Sequence, residues 1–243
     1  MELIDTHCHI DVEEFAADRA QVLTRARAAG VRGQVVPAIH QPGWAFLQAL
    51  CHWEDDLYPA LGMHPIYLDV HRPEHLEQLR GLLTSERPVA VGEIGLDYFV
   101  EGLDRGVQQA LFEAQLRLAE EFALPVLLHV RKAHDQVLAT LRRLRFSQGG
   151  IAHAFSGSAQ QAEQYLELGF KLGFGGTLTY ERSSRIRTLA RELPLEAIVL
   201  ETDAPDIVTA AHRGERNSPE YLPEVLAALA AATTRNARAV LRL

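Results

Sequence analysis

Eight short apolar runs punctuate the chain. They are "ELID" at Glu2, "QVVPAI" at Gln34, "LYPALG" at Leu57, "VAVGEIG" at Val89, "PVLLHV" at Pro125, "GIAHAF" at Gly150, "FKLGFGG" at Phe170 and "AIVLETD" at Ala197. Each is rich in Val, Ile and Leu and nearly continuous in apolarity, as strands covered on both faces are. Amphipathic stretches lie between them. "DRAQVLTRARAAG" ends at Gly30, a helix C-cap, and "GVQQALFEAQLRLAEEFAL" is a longer helix stopped by Pro125. "SAQQAEQYLELG" follows Ser156 and Ser158, either of which can cap it, and ends at Gly169. "EHLEQLRGLLTSE" and "HDQVLATLRRL" fit the same pattern. Strand and helix alternating in this way predict an α/β fold, a single (β/α)8 TIM barrel forming one domain over residues 1–243. An open doubly wound sheet is the second choice, because no Gly-x-Gly-x-x-Gly follows the first run. No linker, repeat or low-complexity tract divides the chain.

Charge narrows the partners. A net charge of −8 excludes a grip on nucleic acid through a broad basic surface, so a polyanionic substrate would need local cations or metal ions. The two cysteines, Cys8 and Cys51, make no disulfide framework and no Cys-x-x-Cys. Cys8 points to the strand face opposite its neighbours and is expected to pack rather than ligate. No apolar run approaches a membrane span, and the start is acidic and leads into a strand, unlike a signal peptide. The expectation is a cytoplasmic protein with no membrane and no obligate protein partner.

The chemistry lies at the ends of the runs. In a barrel, functional side chains gather at the C-terminal ends of the strands. The first run ends in His7 and His9, and the third is followed by "GMHP" with His64. The fourth carries Glu93, the fifth ends in His129, the sixth in His153, and the eighth leads to Asp203. Chance alone supplies about half a His-x-His pair at this histidine content, so His7 and His9 are weak evidence by themselves. Six strand ends delivering imidazoles and carboxylates to one rim are not expected by chance. That mixture suits one or two divalent ions, zinc, manganese, nickel or magnesium. A pleated strand puts His7 and His9 on one face, so both reach one ion.

The blocks "DTHCHID", "GMHP", "GEIGLDY", "LHVR", "HAFSGS" and "ETDAP" resemble, in order, the signatures of the TatD-related metal-dependent hydrolases, from Ile4 to about Pro219. The resemblance implies a two-metal site. In that pattern His7, His9, Glu93 and Asp203 hold one ion, and Glu93 bridges to a second held by His129 and His153. It also implies a nuclease, with 3′-5′ exonuclease action on DNA as the first reading. An acyl or amide hydrolase, such as an aminoacyl-tRNA deacylase, is the alternative on the same site. Many acyl-hydrolysing relatives bridge their metals with a carboxylated lysine. Glu93 in the bridging place shifts the reading toward phosphodiesters and so toward nucleic acid as substrate. Asp203 is expected to accept the proton of the attacking water.

His64 is expected to contact substrate or phosphate. Arg131, two residues beyond His129, can pair with a phosphate. Ser156, Gly157 and Ser158 precede a helix and can receive an anion on backbone N–H groups, though a plain N-cap explains them as well. Arg213 and Arg216 are candidate local cations after the last strand, whereas Lys132, Arg182 and Arg185 read as solvated surface charges. Asp5, Asp97, His134, Asp135 and Glu201 can orient ligands. His40, His52, His71, His75 and His212 read as structural or surface residues. The closing "EVLAALAAATTRNARAVLRL" joins two helical stretches with less connection than the family pattern has.

Overall fold

A computed structural model describes residues 2–230. The eight strands are β1 (Leu3–Asp5), β2 (Val31–Pro37), β3 (Leu57–Leu61), β4 (Ala90–Asp97), β5 (Val126–Arg131), β6 (Gly150–Ala152), β7 (Phe170–Phe174) and β8 (Ile198–Leu200). They form one sheet in chain order, and the strand pairs with a recorded register are parallel. Helices α1 (Arg19–Ala28), α2 (Trp44–Trp53), α3 (Glu74–Ser85), α4 (Arg105–Glu121), α5 (His134–Leu144), α6 (Ala159–Glu167) and α7 (Ser184–Glu192) alternate with them. This is the expected (β/α)8 arrangement of a TIM barrel. A further helical stretch begins at 222 and reaches the last described residue. Most of the closing alanine-rich segment lies outside the described residues.

Local chemistry sets the boundaries. Gly30 and Gly169 take φ of +97° and +81° after α1 and α6. Glycine enters that left-handed region without the steric cost a side chain brings. β2 starts at Val31, three residues before the apolar run begins, because Gly30 has already turned the chain there. The charged Arg32 and Gly33 hid that part of the strand. Ser158 is the N-cap of α6, and its Oγ accepts from Gln161 N–H while its own N–H donates to Gln161 Oε1. This is a capping box.

Two compact units emerge, one from residues up to 34 together with those from 173 on, the other from 35 to 172. In the first, Leu3, Ala26, Val31 and Leu222 form a buried cluster with Leu200 and Leu226 against it. In the second, Ala60, Ala90 and Leu127 do so, flanked by Val35 and Ile151. All eight residues of β4 are buried, Glu93 and Asp97 among them. Among the described residues no helix is long and apolar enough to cross a membrane.

Candidate metal centre

In the first unit, β1 and the segment after β8 stay joined beyond their regular ends. Thr6 N–H donates to Leu200 O, Asp203 N–H to His7 O, and His9 N–H to Ala204 O, at 3.0, 2.8 and 2.8 Å. These bonds fix His7, His9 and Asp203 relative to one another. His7 Nε2 and His9 Nε2 lie 3.2 Å apart, and Asp203 Oδ1 lies 3.7 Å from each. A triangle with those sides has a centre about 2.1 Å from every corner, the length of a zinc bond to nitrogen or oxygen. Two imidazoles and a carboxylate are also the donors such an ion takes, so the residues fit it.

Asp5 supports this arrangement through the backbone. It is fully buried and accepts from Thr202 Oγ–H, Thr202 N–H and His7 N–H. Burial pushes its carboxyl up to about 7, against the pull of those bonds. Asn217, absent from the sequence expectations, ties down the same turn: its Nδ2 donates to Thr202 O and Asp206 O. Cys8 is fully buried, as expected of a packing residue, and burial pushes its thiol well up. Glu201 is buried where a Cβ at Gly173 would stand 2.1 Å from its Oε2, so a larger residue there must displace the carboxylate. Arg216 is not a free cation. It forms a bidentate pair with Asp18 at 2.9 and 2.7 Å and lies over Phe15. Arg213 is exposed just after a short 3-10 turn, Ala210–His212.

In the second unit, Glu93 is the hub. Its Oε1 lies 2.9 Å from His153 Nε2, 3.0 Å from His129 Nδ1 and 3.3 Å from His64 Nε2. Ligand atoms of His64, Glu93 and His129 all fall within 4.8 Å of one another. Gly95 lets β4 and β5 meet here. It pairs with His129 at φ +145°, and a Cβ would stand 2.0 Å from the His129 carbonyl oxygen.

The proton positions separate the histidines. Ile66 N–H donates to His64 Nδ1 at 3.2 Å, which leaves the His64 proton on Nε2, facing Glu93. His64 is therefore a hydrogen-bond donor in this site. His129 is turned the other way: its Nε2–H donates to Asp97 Oδ2 at 2.9 Å, and its Nδ1 lies 3.0 Å from Glu93 Oε1, donating to it as imidazolium and offering a lone pair to a cation as neutral imidazole. A carboxylate behind a ligating imidazole is a common device for fixing its tautomer. Burial would raise Asp97, but hydrogen bonds from His129, Val100 and Phe99 outweigh it and bring the carboxyl down to about 2. Burial would lower His129, and its bonds to Asp97 and Glu93 reverse that into a rise.

Two glutamines of α4 hold the neighbouring backbone. Gln108 exchanges two hydrogen bonds with Asp97 and Gln115 exchanges two with Met63, the residue before His64. The sequence reading missed both. Their signal is a pair of amides seven residues apart on the apolar face of an amphipathic helix.

The remaining candidates are more peripheral. Arg131 is exposed, with its guanidinium over the Phe99 ring. Ser156 is exposed, and the N–H of Ser158 is already engaged by Gln161, so it is not available to an anion. His134 sits at the start of α5 with Nδ1 3.4 Å from the Tyr165 hydroxyl, and Asp135 accepts from Gln161.

Comparison with known proteins agrees with this chemistry. The family profile described as TatD related DNase matches residues 4–242. An uncharacterized metal-dependent hydrolase, YjjV of Escherichia coli K12, is 45% identical over 229 residues, 93% of this chain and 88% of that protein. The crystal structure of the same TatD homologue superposes with a TM-score of 0.90 at 42% identity, covering 97% and 96% of the two chains. The 3′-5′ ssDNA/RNA exonuclease TatD of Klebsiella pneumoniae is 34% identical, over 94% of this chain and 89% of that one. The chain belongs to the TatD-related DNase family of metal-dependent hydrolases.

Proposed function

We propose that the chain acts as one hydrolase domain that cleaves phosphodiester bonds of nucleic acid, removing nucleotides from the 3′ end of a single strand. The observation that carries this reading is the Glu93 hub, a buried carboxylate oxygen with three imidazole nitrogens within 3.3 Å. Glu93 and His129 with His153 would hold one divalent ion, and His7, His9 and Asp203 another. Bound there, such ions polarise a phosphoryl oxygen and acidify a water. Asp203, whose side chain is 13% exposed, would take the proton of the attacking water on its second oxygen. His64 Nε2–H donates to an oxygen of the phosphoryl group as charge develops. Asp97 keeps the His129 lone pair aimed inward. Relatives named as 3′-5′ ssDNA/RNA exonucleases support the polarity and the substrate.

The experiment is direct. The protein is stripped, reloaded with Mg²⁺, Mn²⁺ or Zn²⁺, and incubated with 3′- and 5′-labelled single-stranded DNA, beside a charged-tRNA deacylation assay. Metal-dependent loss of the 3′ label before the 5′ label is expected. No cleavage with any metal, together with deacylation, replaces this reading with an acyl hydrolase.

A further inference from the structure

The loops after β4 and β5 present an exposed ring among positive charges. Phe99 is 46% exposed, yet its loop is pinned. Its N–H and that of Val100 donate to Asp97 Oδ1 at 2.8 and 2.9 Å, while Asp97 Oδ2 holds His129. One buried carboxylate therefore fixes both the ring and an imidazole of the metal centre. Arg131 Cζ lies 3.7 Å from the Phe99 ring centre and Lys132 Nζ 4.7 Å from it. Lys132 is delivered by a backbone φ of +54°, a conformation with a steric cost outside glycine. Arg105 lies over Tyr98 at 4.5 Å.

Three cations and two rings thus collect on one face of a chain of net charge −8. Carboxylates lie nearby and keep their charge, but among the described residues none forms an ion pair with these three cations. Asp97 is buried, Asp104 accepts from Gly106 and Val107 N–H at the start of α4, and Asp135 accepts from Gln161. Glu101 is the remaining carboxylate of the 97–105 loop. A cleft of about 420 Å³ adjoins, lined by Tyr98, Lys132, His134, Asp135 and Gln161 among others.

We infer that this face is a strand-binding platform: a nucleobase of single-stranded nucleic acid stacks on the Phe99–Arg131 pair, and Lys132 and Arg105 take backbone phosphates. The inference rests on the phosphodiesterase reading above and adds residues that the metal centre does not contain. Every base has a flat π-face and every linkage an anion, so a ring bordered by cations binds a strand with little sequence preference. A guanidinium over a ring extends the flat surface on which a base stacks.

The test is fluorescence anisotropy with labelled dT12 in EDTA, so that no turnover occurs. Wild type is compared with Phe99→Ala, Phe99→Leu and Phe99→Tyr. Loss of the ring should weaken binding about tenfold in the Ala and Leu variants, with Tyr within about twofold of wild type. In Mn²⁺-loaded protein, the ratio of kcat/KM on the oligonucleotide to kcat/KM on bis(p-nitrophenyl) phosphate should fall about as far. Equal binding by all four proteins, wild-type affinity in the Leu variant, or no binding by wild type overturns the platform. Hydrolysis of neither substrate with any metal overturns the phosphodiesterase reading instead, and the anisotropy still decides the platform on its own.

Discussion

Replacing Asp97 by Asn separates an orienting carboxylate from a merely buried one. Oδ2 of Asp97 accepts from His129 Nε2–H, and Oδ1 accepts from two backbone N–H groups. An amide has one oxygen. In either orientation its NH₂ faces donors: the loop N–H groups in one, His129 Nε2–H in the other. The second case is relieved only if His129 moves its proton to Nδ1, which removes the lone pair it offers to a cation. The lowering of Asp97 from 3.8 to about 2 corresponds to about 2 kcal/mol of stability at neutral pH. His129 is raised by the same bond, so that energy counts once. For a chain of this length the loss lowers Tm by about 4–8 °C. The folded carboxyl is depressed, so its contribution is present above the unfolded value of 3.8 and disappears as pH falls through about 2. The gap between wild type and variant should therefore be full at pH 5 and about halved by pH 3, read by urea titration. Calorimetric titration should also show metal affinity reduced about 10- to 100-fold. A variant with unchanged Tm and unchanged metal affinity refutes the orienting role.

Two further substitutions probe the frame around the centre. Gly95→Ala puts a Cβ 2.0 Å from the His129 carbonyl oxygen at φ +145°; a loss of at least about 3 kcal/mol is expected in urea unfolding, and an unchanged midpoint contradicts the close approach. His212 is raised above its ordinary value, first by its hydrogen bond to Glu215 and then by Glu224, with burial opposing, and it stacks on Tyr221. Its contribution is full below about 6.5 and is lost as pH rises through the raised value, so His212→Gln should lower Tm at pH 6 and converge on wild type by about pH 9. A difference independent of pH removes that assignment.

Much of this was legible in the order of residues because strands covered on both faces must be apolar throughout. Any polar residue at the end of such a run stands out, and His7, His129, His153 and Asp203 did. All eight runs are strands, although β2 begins earlier than its apolar stretch because Gly30 turns the chain there. Alternation was enough to place Cys8 in the core. The supporting groups were harder to read. Gln108 and Gln115 are marked only by their spacing on the apolar face of a helix, and nothing in the local pattern of Asn217 distinguishes it from a surface amide. Asp5 was expected to orient ligands; that it does so by holding the His7 N–H and the Thr202 turn is something only the fold reveals. Arg216 read as a local cation, and Ser158 as an anion contact or an N-cap, until Asp18 and Gln161 are seen to engage them.

The measurement that bears most directly on the central claim is the single-turnover rate of Asp203→Asn on end-labelled single-stranded DNA, in protein shown by circular dichroism to be folded and by metal analysis to be loaded. Loss of the proton acceptor should slow cleavage by about 10²- to 10⁴-fold with the fold retained. A folded, metal-loaded variant that cleaves within a few-fold of wild type contradicts the account.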